Sequence, residues 1–109
     1  KKLEQAGADV VGANCTLGSK EMIKLASVMK KSTKLPIIVQ PNAGMPKLVK
    51  GKTVYLQKPA SFANDVLKMI KLGVSFAGGC CGTTPEFIKM IKKSLTGLEY
   101  KPSGLSTKR

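Results

Sequence analysis

Short apolar runs alternate along the chain with longer stretches in which apolar residues recur at the spacing of a helix face. The apolar runs occupy residues 10–13, 35–40 and 74–77. Helical spacing follows in residues 19–31, about 62–72 and about 85–95, whereas residues 41–58 are predicted to be irregular. Because the strands are apolar without polar alternation, this order predicts an α/β fold with a parallel sheet.

Glycines mark where the predicted helices end. Residues 1–5 resemble the end of a helix that stops at Gly7, Gly73 has the position of a C′ glycine, and Gly97 is expected to close the last helix. The predicted domain therefore covers residues 1–97. Residues 98–109 lose the apolar period and are expected to form a linker or frayed tail.

Two threonines precede the last predicted helix. Thr84 with Pro85 matches an N-cap followed by proline at N1, and Thr83 with Glu86 offers a capping box as the alternative. Helix capping is favoured for both hydroxyls over contact with a substrate.

An internal repeat aligns GADVVGANC at residues 7–15 with GVSFAGGCC at residues 73–81. The repeat puts Cys15 and Cys81 at equivalent positions, the carboxyl ends of two parallel strands, where α/β folds bind their ligands. Three strands with one helix each leave exposed sheet edges, so we expect a piece of a larger barrel or sheet, with self-association through those edges as a further expectation.

The charge of the chain is strongly positive, with 19 Lys and Arg against 6 Asp and Glu and a net charge of +13. The lysines are spread over helix faces, there is a single Arg and aromatic residues are few, which favours solvated surfaces over nucleic-acid binding. No apolar run reaches about 18 residues and no signal pattern opens the chain, so no membrane association and a cytoplasmic location are expected.

The candidate chemistry lies in three cysteines. The chain has no His, which excludes Ser–His and Cys–His nucleophile pairs, and Cys80 and Cys81 are adjacent, which disfavours a disulfide between them. Cys15, Cys80 and Cys81 follow strands and could supply three thiolates to a tetrahedral Zn²⁺ with an open fourth position. Small buried residues at strand ends are the alternative.

Three strings carry a family resemblance, namely GANCTLG at residues 12–18, PNAGMP at 41–46 and GGCCGTTP at 78–85. They resemble successive strand-end motifs of the homocysteine S-methyltransferase family, and more narrowly the homocysteine-binding domain of its cobalamin-dependent members. The resemblance covers residues 3–95 and implies the last three βα units of a (βα)₈ TIM barrel. It also implies that Cys15, Cys80 and Cys81 are the zinc ligands.

The resemblance implies that zinc activates the thiolate of homocysteine, whose sulfur takes a methyl group to give methionine. In the cobalamin-dependent members, cobalamin and methyltetrahydrofolate are held by other domains. Members that use betaine, S-methylmethionine or S-adenosylmethionine as donor are the alternative within this chemistry. From another class, a basic binding or oligomerising module without catalysis is the alternative.

Two further residues are candidates near the cysteines. Asn42 follows the middle strand, where its amide oxygen could approach the metal or the substrate, or else bond the backbone of a turn. Tyr55 ends the segment Gly51–Tyr55, which resembles a family loop over the barrel mouth, so it could line the substrate site or simply pack.

Overall fold

A computed structural model gives the fold of residues 1–96. The chain order of its elements is α1 (Lys2–Gln5), β1 (Val11–Gly18), α2 (Ser19–Ser32), β2 (Ile37–Asn42), β3 (Lys47–Val49), β4 (Lys52–Val54), α3 (Pro59–Leu72), β5 (Phe76–Ala77) and α4 (Pro85–Leu95). The predicted stop at Gly97 and the predicted tail 98–109 lie outside the described residues.

The central sheet is parallel, with strand order β1-β2-β5. Ile38 of β2 is in register with Gly12 on one side and Phe76 on the other. Consecutive βα units therefore place their strands side by side, and the carboxyl ends of all three strands meet at one edge. The predicted α/β fold with parallel pairing is confirmed.

The helices bury one face of this sheet. Ile37 and Val39 are fully buried on β2, and they join a core to which α2, α3 and α4 contribute Met22, Ala26, Phe62, Val66, Met69, Phe87 and Ile91. The rings of Phe62 and Phe87 meet edge to face, with centroids 5.3 Å apart. The core therefore lies between the sheet and its three long helices.

The other face of the sheet is open. Gly12, Asn14 and Gln40 are exposed on it, and Phe76 keeps 44% of its surface exposed. In the described residues the sheet is thus buried on one face only, although a parallel sheet usually has both faces covered. The physical reason is that α2, α3 and α4 supply a single cover layer.

A short antiparallel hairpin, β3–β4, interrupts the segment that was predicted to be irregular. Lys50 and Gly51 form its turn with φ of 52° and 77°, the two positive values that tight hairpins use. Lys-Gly is not among the usual turn pairs, and each strand has only three residues. The sequence pattern therefore did not predict the hairpin. The hairpin is exposed along most of its length.

The predicted glycine stop of α3 and the predicted start of α4 agree with the structure, whereas α3 begins at Pro59, earlier than predicted. Gly73 closes α3 in the left-handed region, with φ of 112°, and Thr84 is the N-cap of α4 with Pro85 behind it. The capping box is wrong, because the Thr83 hydroxyl donates to the carbonyl oxygen of Cys80 at 2.6 Å. The Thr84 side chain makes no capping hydrogen bond either.

Over residues 1–96, no helix has the length and apolar character needed to cross a membrane.

The one-sided core predicts stability losses of different size for the substitution of two phenylalanines. Phe62→Ala removes a fully buried ring and should lower the free energy of unfolding by about 3–5 kcal/mol. Phe76→Ala, on the open face, should lower it by less than about 1 kcal/mol. Urea unfolding followed by far-UV circular dichroism measures both, and equal losses would contradict this description of the core.

Candidate metal centre

Cys15 lies where β1 leaves the regular ladder. The register between β1 and β2 shifts between Asn14 and Gly18, and both Cys15 and Thr16 have positive φ, 56° and 62°. Non-glycine residues adopt this region rarely, and a β-branched threonine more rarely still. Such strain persists only where the surrounding structure imposes it, and it is concentrated at functional sites.

Cys80 and Cys81 lie on the loop after β5, which runs beside the end of β2. Beyond the last paired residues, Gly78 N–H donates to the Val39 carbonyl at 2.9 Å and Cys80 N–H donates to the Pro41 carbonyl at 2.9 Å. The Cys81 carbonyl in turn accepts from Ala43 N–H at 2.9 Å. Backbone hydrogen bonds therefore continue the sheet into the loop and place both cysteines.

The three thiols converge. Their Sγ atoms all lie within 4.8 Å of one another, and Cys15 Sγ is 3.7 Å from Cys81 Sγ. A tetrahedral zinc with Zn–S bonds of about 2.3 Å separates its sulfur ligands by about 3.8 Å, so the spacing suits this ion. All three cysteines are free; Cys15 and Cys80 are half-buried and Cys81 is exposed. The donor set and its spacing thus fit zinc, with access from solvent.

The pKa values of Cys15 and Cys80 are shifted in opposite directions. A hydrogen bond from the Thr16 backbone, followed by those from Cys80 and Cys81, lowers the pKa of Cys15. The hydrogen bond to Cys15, followed by burial, raises the pKa of Cys80. The surroundings of Cys15 therefore favour its thiolate form, whereas those of Cys80 favour its thiol form.

Asn42 is buried beside the cluster, with 3% of its surface exposed. Its Oδ1 accepts from Cys81 N–H at 3.1 Å, and a hydrogen bond from its side chain contributes to the lowered pKa of Cys15. The structure thus brings Asn42 to the cysteines and gives it a backbone partner. An amide oxygen has two lone pairs, so this bond leaves one acceptor position on Oδ1.

Tyr55 also reaches the cluster. Burial, followed by a hydrogen bond with Cys81, raises the pKa of the Tyr55 hydroxyl. Its side chain packs on Gly82, where a Cβ would come within 2.4 Å of Tyr55 Cβ and where φ is 81°. Only glycine satisfies both the backbone and the close approach at this position.

Sequence reasoning missed a polar cluster that includes Gln57, two residues after Tyr55. The buried Ser19 hydroxyl donates to Asp65 Oδ2 at 2.7 Å and accepts from Gln57 Nε2 at 2.8 Å. Three residues from α2, the loop before α3 and α3 itself meet there. No local pattern links them, because they are separated by 38 and 46 positions along the chain.

Comparison with known proteins identifies the family of this chain. Residues 1–95 match the family described as homocysteine S-methyltransferase. The chain belongs to the homocysteine S-methyltransferase family. The predicted family resemblance is confirmed, and the three cysteines, Asn42 and Tyr55 lie within the matched residues.

Two relatives carry the name methionine synthase. The protein from Mycobacterium leprae (strain TN) is 37% identical over 90 residues, which cover 82% of this chain and 8% of the relative. The protein from Mycobacterium tuberculosis (strain ATCC 25618 / H37Rv) is 32% identical over 109 residues, covering 93% of this chain and 9% of the relative. This chain thus spans less than a tenth of the length of either relative.

Asn42 provides a test of the loop. Asn42→Ala should leave the Cys81 N–H without its acceptor, lower the free energy of unfolding by about 1–3 kcal/mol and speed the reaction of Cys81 with a thiol reagent. Asn42→Asp keeps an acceptor oxygen and is the matched control. If Asn42→Ala left both stability and thiol reactivity unchanged, the hydrogen bond would not hold the loop.

Proposed function

We propose that this chain is part of a zinc-dependent homocysteine S-methyltransferase of the methionine synthase type. The observation that carries the proposal is the convergence of three free thiols at the spacing of tetrahedral sulfur ligands, on the exposed carboxyl edge of a parallel sheet. Three protein ligands leave one coordination position for a substrate, the arrangement of catalytic rather than structural zinc sites. Cys15, Cys80 and Cys81 are thus ligands and not nucleophiles.

Zinc, when bound, supplies the Lewis acidity that keeps the homocysteine sulfur deprotonated and nucleophilic at neutral pH. The chain contributes the rest. The Thr16 backbone stabilises the Cys15 thiolate, and Asn42 orients the loop through Cys81 N–H. The homocysteine sulfur would then form a bond to the methyl group of the donor, the bond between methyl and donor would break with its electron pair staying on the donor, and methionine would be the product.

Asn42 and Tyr55 are proposed to complete the site. The free lone pair of Asn42 Oδ1 makes it a candidate for the fourth metal position when substrate is absent, or for a contact with substrate. Tyr55 covers the cluster from the side of Gly82, so its half-buried ring would line the substrate position.

We further propose that residues 1–97 form the last three βα units of a (βα)₈ TIM barrel, with 98–109 as a linker or frayed tail. Consecutive neighbours in the order β1-β2-β5 and helices on one face are the arrangement of a barrel wall. The open face, with Gly12, Gln40 and Phe76, would then face the barrel interior. Pairing of the exposed edges with other copies of the chain is the alternative to pairing with other barrel strands.

The methyl donor is proposed to reach this site from other domains of a longer protein. Following the family resemblance, cobalamin and methyltetrahydrofolate, held by those other domains, are proposed as the source of the methyl group. No residue of the described part is assigned to a donor, so betaine or S-methylmethionine stays the alternative.

The metal site can be tested by substitution. Protein purified without chelator should carry about one zinc per chain, and Cys15→Ser, Cys80→Ser or Cys81→Ser should each reduce zinc to background. Met45→Leu removes the sulfur of an exposed residue three positions after Asn42 and is the matched control. Atomic emission of desalted protein measures the zinc content.

X-ray absorption at the zinc edge then tests the substrate. Addition of homocysteine should raise the number of sulfur neighbours from three to four, with Zn–S distances of about 2.3 Å. Absence of zinc from the unmodified chain, or an unchanged sulfur count with homocysteine, would contradict the proposal.

Zinc affinity should fall as the pH falls. Zinc binds the thiolates, so every thiol that is protonated in the free protein releases a proton on binding and costs about tenfold in affinity per pH unit. The raised pKa of Cys80 extends this competition to higher pH, whereas the lowered pKa of Cys15 restricts it to lower pH. Competition with a chromophoric chelator from pH 8 to 6 measures the slope, and a flat profile would exclude thiolate ligands.

A further inference from the structure

The segment that carries Tyr55 has little secondary structure to hold it in place. Residues 55–58 have no regular secondary structure, and the preceding strands β3 and β4 are largely exposed. An isolated two-stranded hairpin is marginally stable in water. Leu56, the next residue, is 60% exposed, so apolar burial of Leu56 does not hold the segment.

Gln57 is the residue at which this segment is attached to the rest of the fold. Its backbone N–H donates to the Ala43 carbonyl at 3.3 Å, directly after Asn42. Its Nε2 donates to Ser19 Oγ at 2.8 Å and lies 3.3 Å from Asp65 Oδ2. A third contact, to Ser61 Oγ at 3.2 Å, is at the exposed side.

The partners of Gln57 are themselves placed by the elements that form the site. Ser19 is fully buried in the first turn of α2, four residues after Cys15. Its hydroxyl is fixed by Asp65 Oδ2 at 2.7 Å, a charge-assisted hydrogen bond. The end of β1, the end of β2 and the Tyr55 segment thus share one anchor.

We propose that Gln57, held by Ser19 and Asp65, is a positioning residue that sets the Tyr55 side chain against the cysteine site. The consequence for substrate binding rests on the proposed function above. The position of Tyr55 itself does not, and it can be measured without any activity.

Tyrosine fluorescence isolates this effect. The chain has no Trp and two Tyr, so Tyr100→Phe leaves Tyr55 as the single emitter of the 109-residue chain. In that background, acrylamide quenching of Tyr55 is measured together with zinc content and far-UV circular dichroism.

Gln57→Ala is expected to increase the acrylamide quenching constant of Tyr55 about twofold, because local release of the segment exposes the ring. Gln57→Glu should do the same with nearly unchanged volume, since it lacks the amide donor and places a second carboxylate beside Asp65. If Gln57→Ala loses helix content, the quenching constant of Tyr55 in Gln57→Glu tests the proposal instead.

Two variants separate positioning from general packing. Asp65→Asn keeps an oxygen that can accept from Ser19 and should retain the parental quenching constant, whereas Asp65→Ala should behave like Gln57→Ala. Ser61→Ala removes only the exposed contact and should also match the parent. A parental quenching constant in folded Gln57→Glu, or an equal rise in Ser61→Ala, would overturn the proposal.

Zinc content distinguishes this inference from the proposed function. If the parent binds no zinc but Gln57→Glu still exposes Tyr55, the positioning role holds and the metal role fails. If zinc is bound and Tyr55 is already fully accessible in the parent, the positioning role fails and the metal role holds.

Discussion

The site depends on backbone hydrogen bonds that extend the sheet beyond the end of β5. The carbonyls of Val39 and Pro41 accept from Gly78 and Cys80, and Ala43 donates to Cys81. These bonds hold a loop of small residues in line with the middle strand. Because the loop is held by backbone groups, two adjacent cysteines keep a defined place beside Asn42 without regular secondary structure of their own.

On the Cys15 side of the cluster, the backbone has an unfavourable conformation. Left-handed φ values at Cys15 and Thr16 turn the chain away from the regular β1 ladder at the first of the three thiols. Residues in this region cost of order 1–3 kcal/mol each, and the buried core behind the sheet can offset that cost. These two residues therefore lower the stability of the fold at the position where its candidate chemistry lies.

The central sheet of the described residues is buried on one face and open on the other. Helices cover Ile37 and Val39, while Phe76 and Gln40 remain open on the far face. A parallel sheet normally has both faces covered. In the part of the chain that the structure describes, this open face lies between the unpaired edges of β1 and β5.

The sequence alone determined the strand and helix order, the parallel pairing, the glycine stop at Gly73 and the candidate cysteines. These features follow from local periodicity, from capping chemistry and from an internal repeat, all of which are written along the chain. The tertiary structure alone decided the hairpin β3–β4, the hydroxyl partner of Thr83 and the anchoring of Gln57 by Ser19 and Asp65. Each of these depends on which distant groups meet in space, and hydrogen-bond partners 38 or 46 residues apart leave no periodic signal in a single sequence.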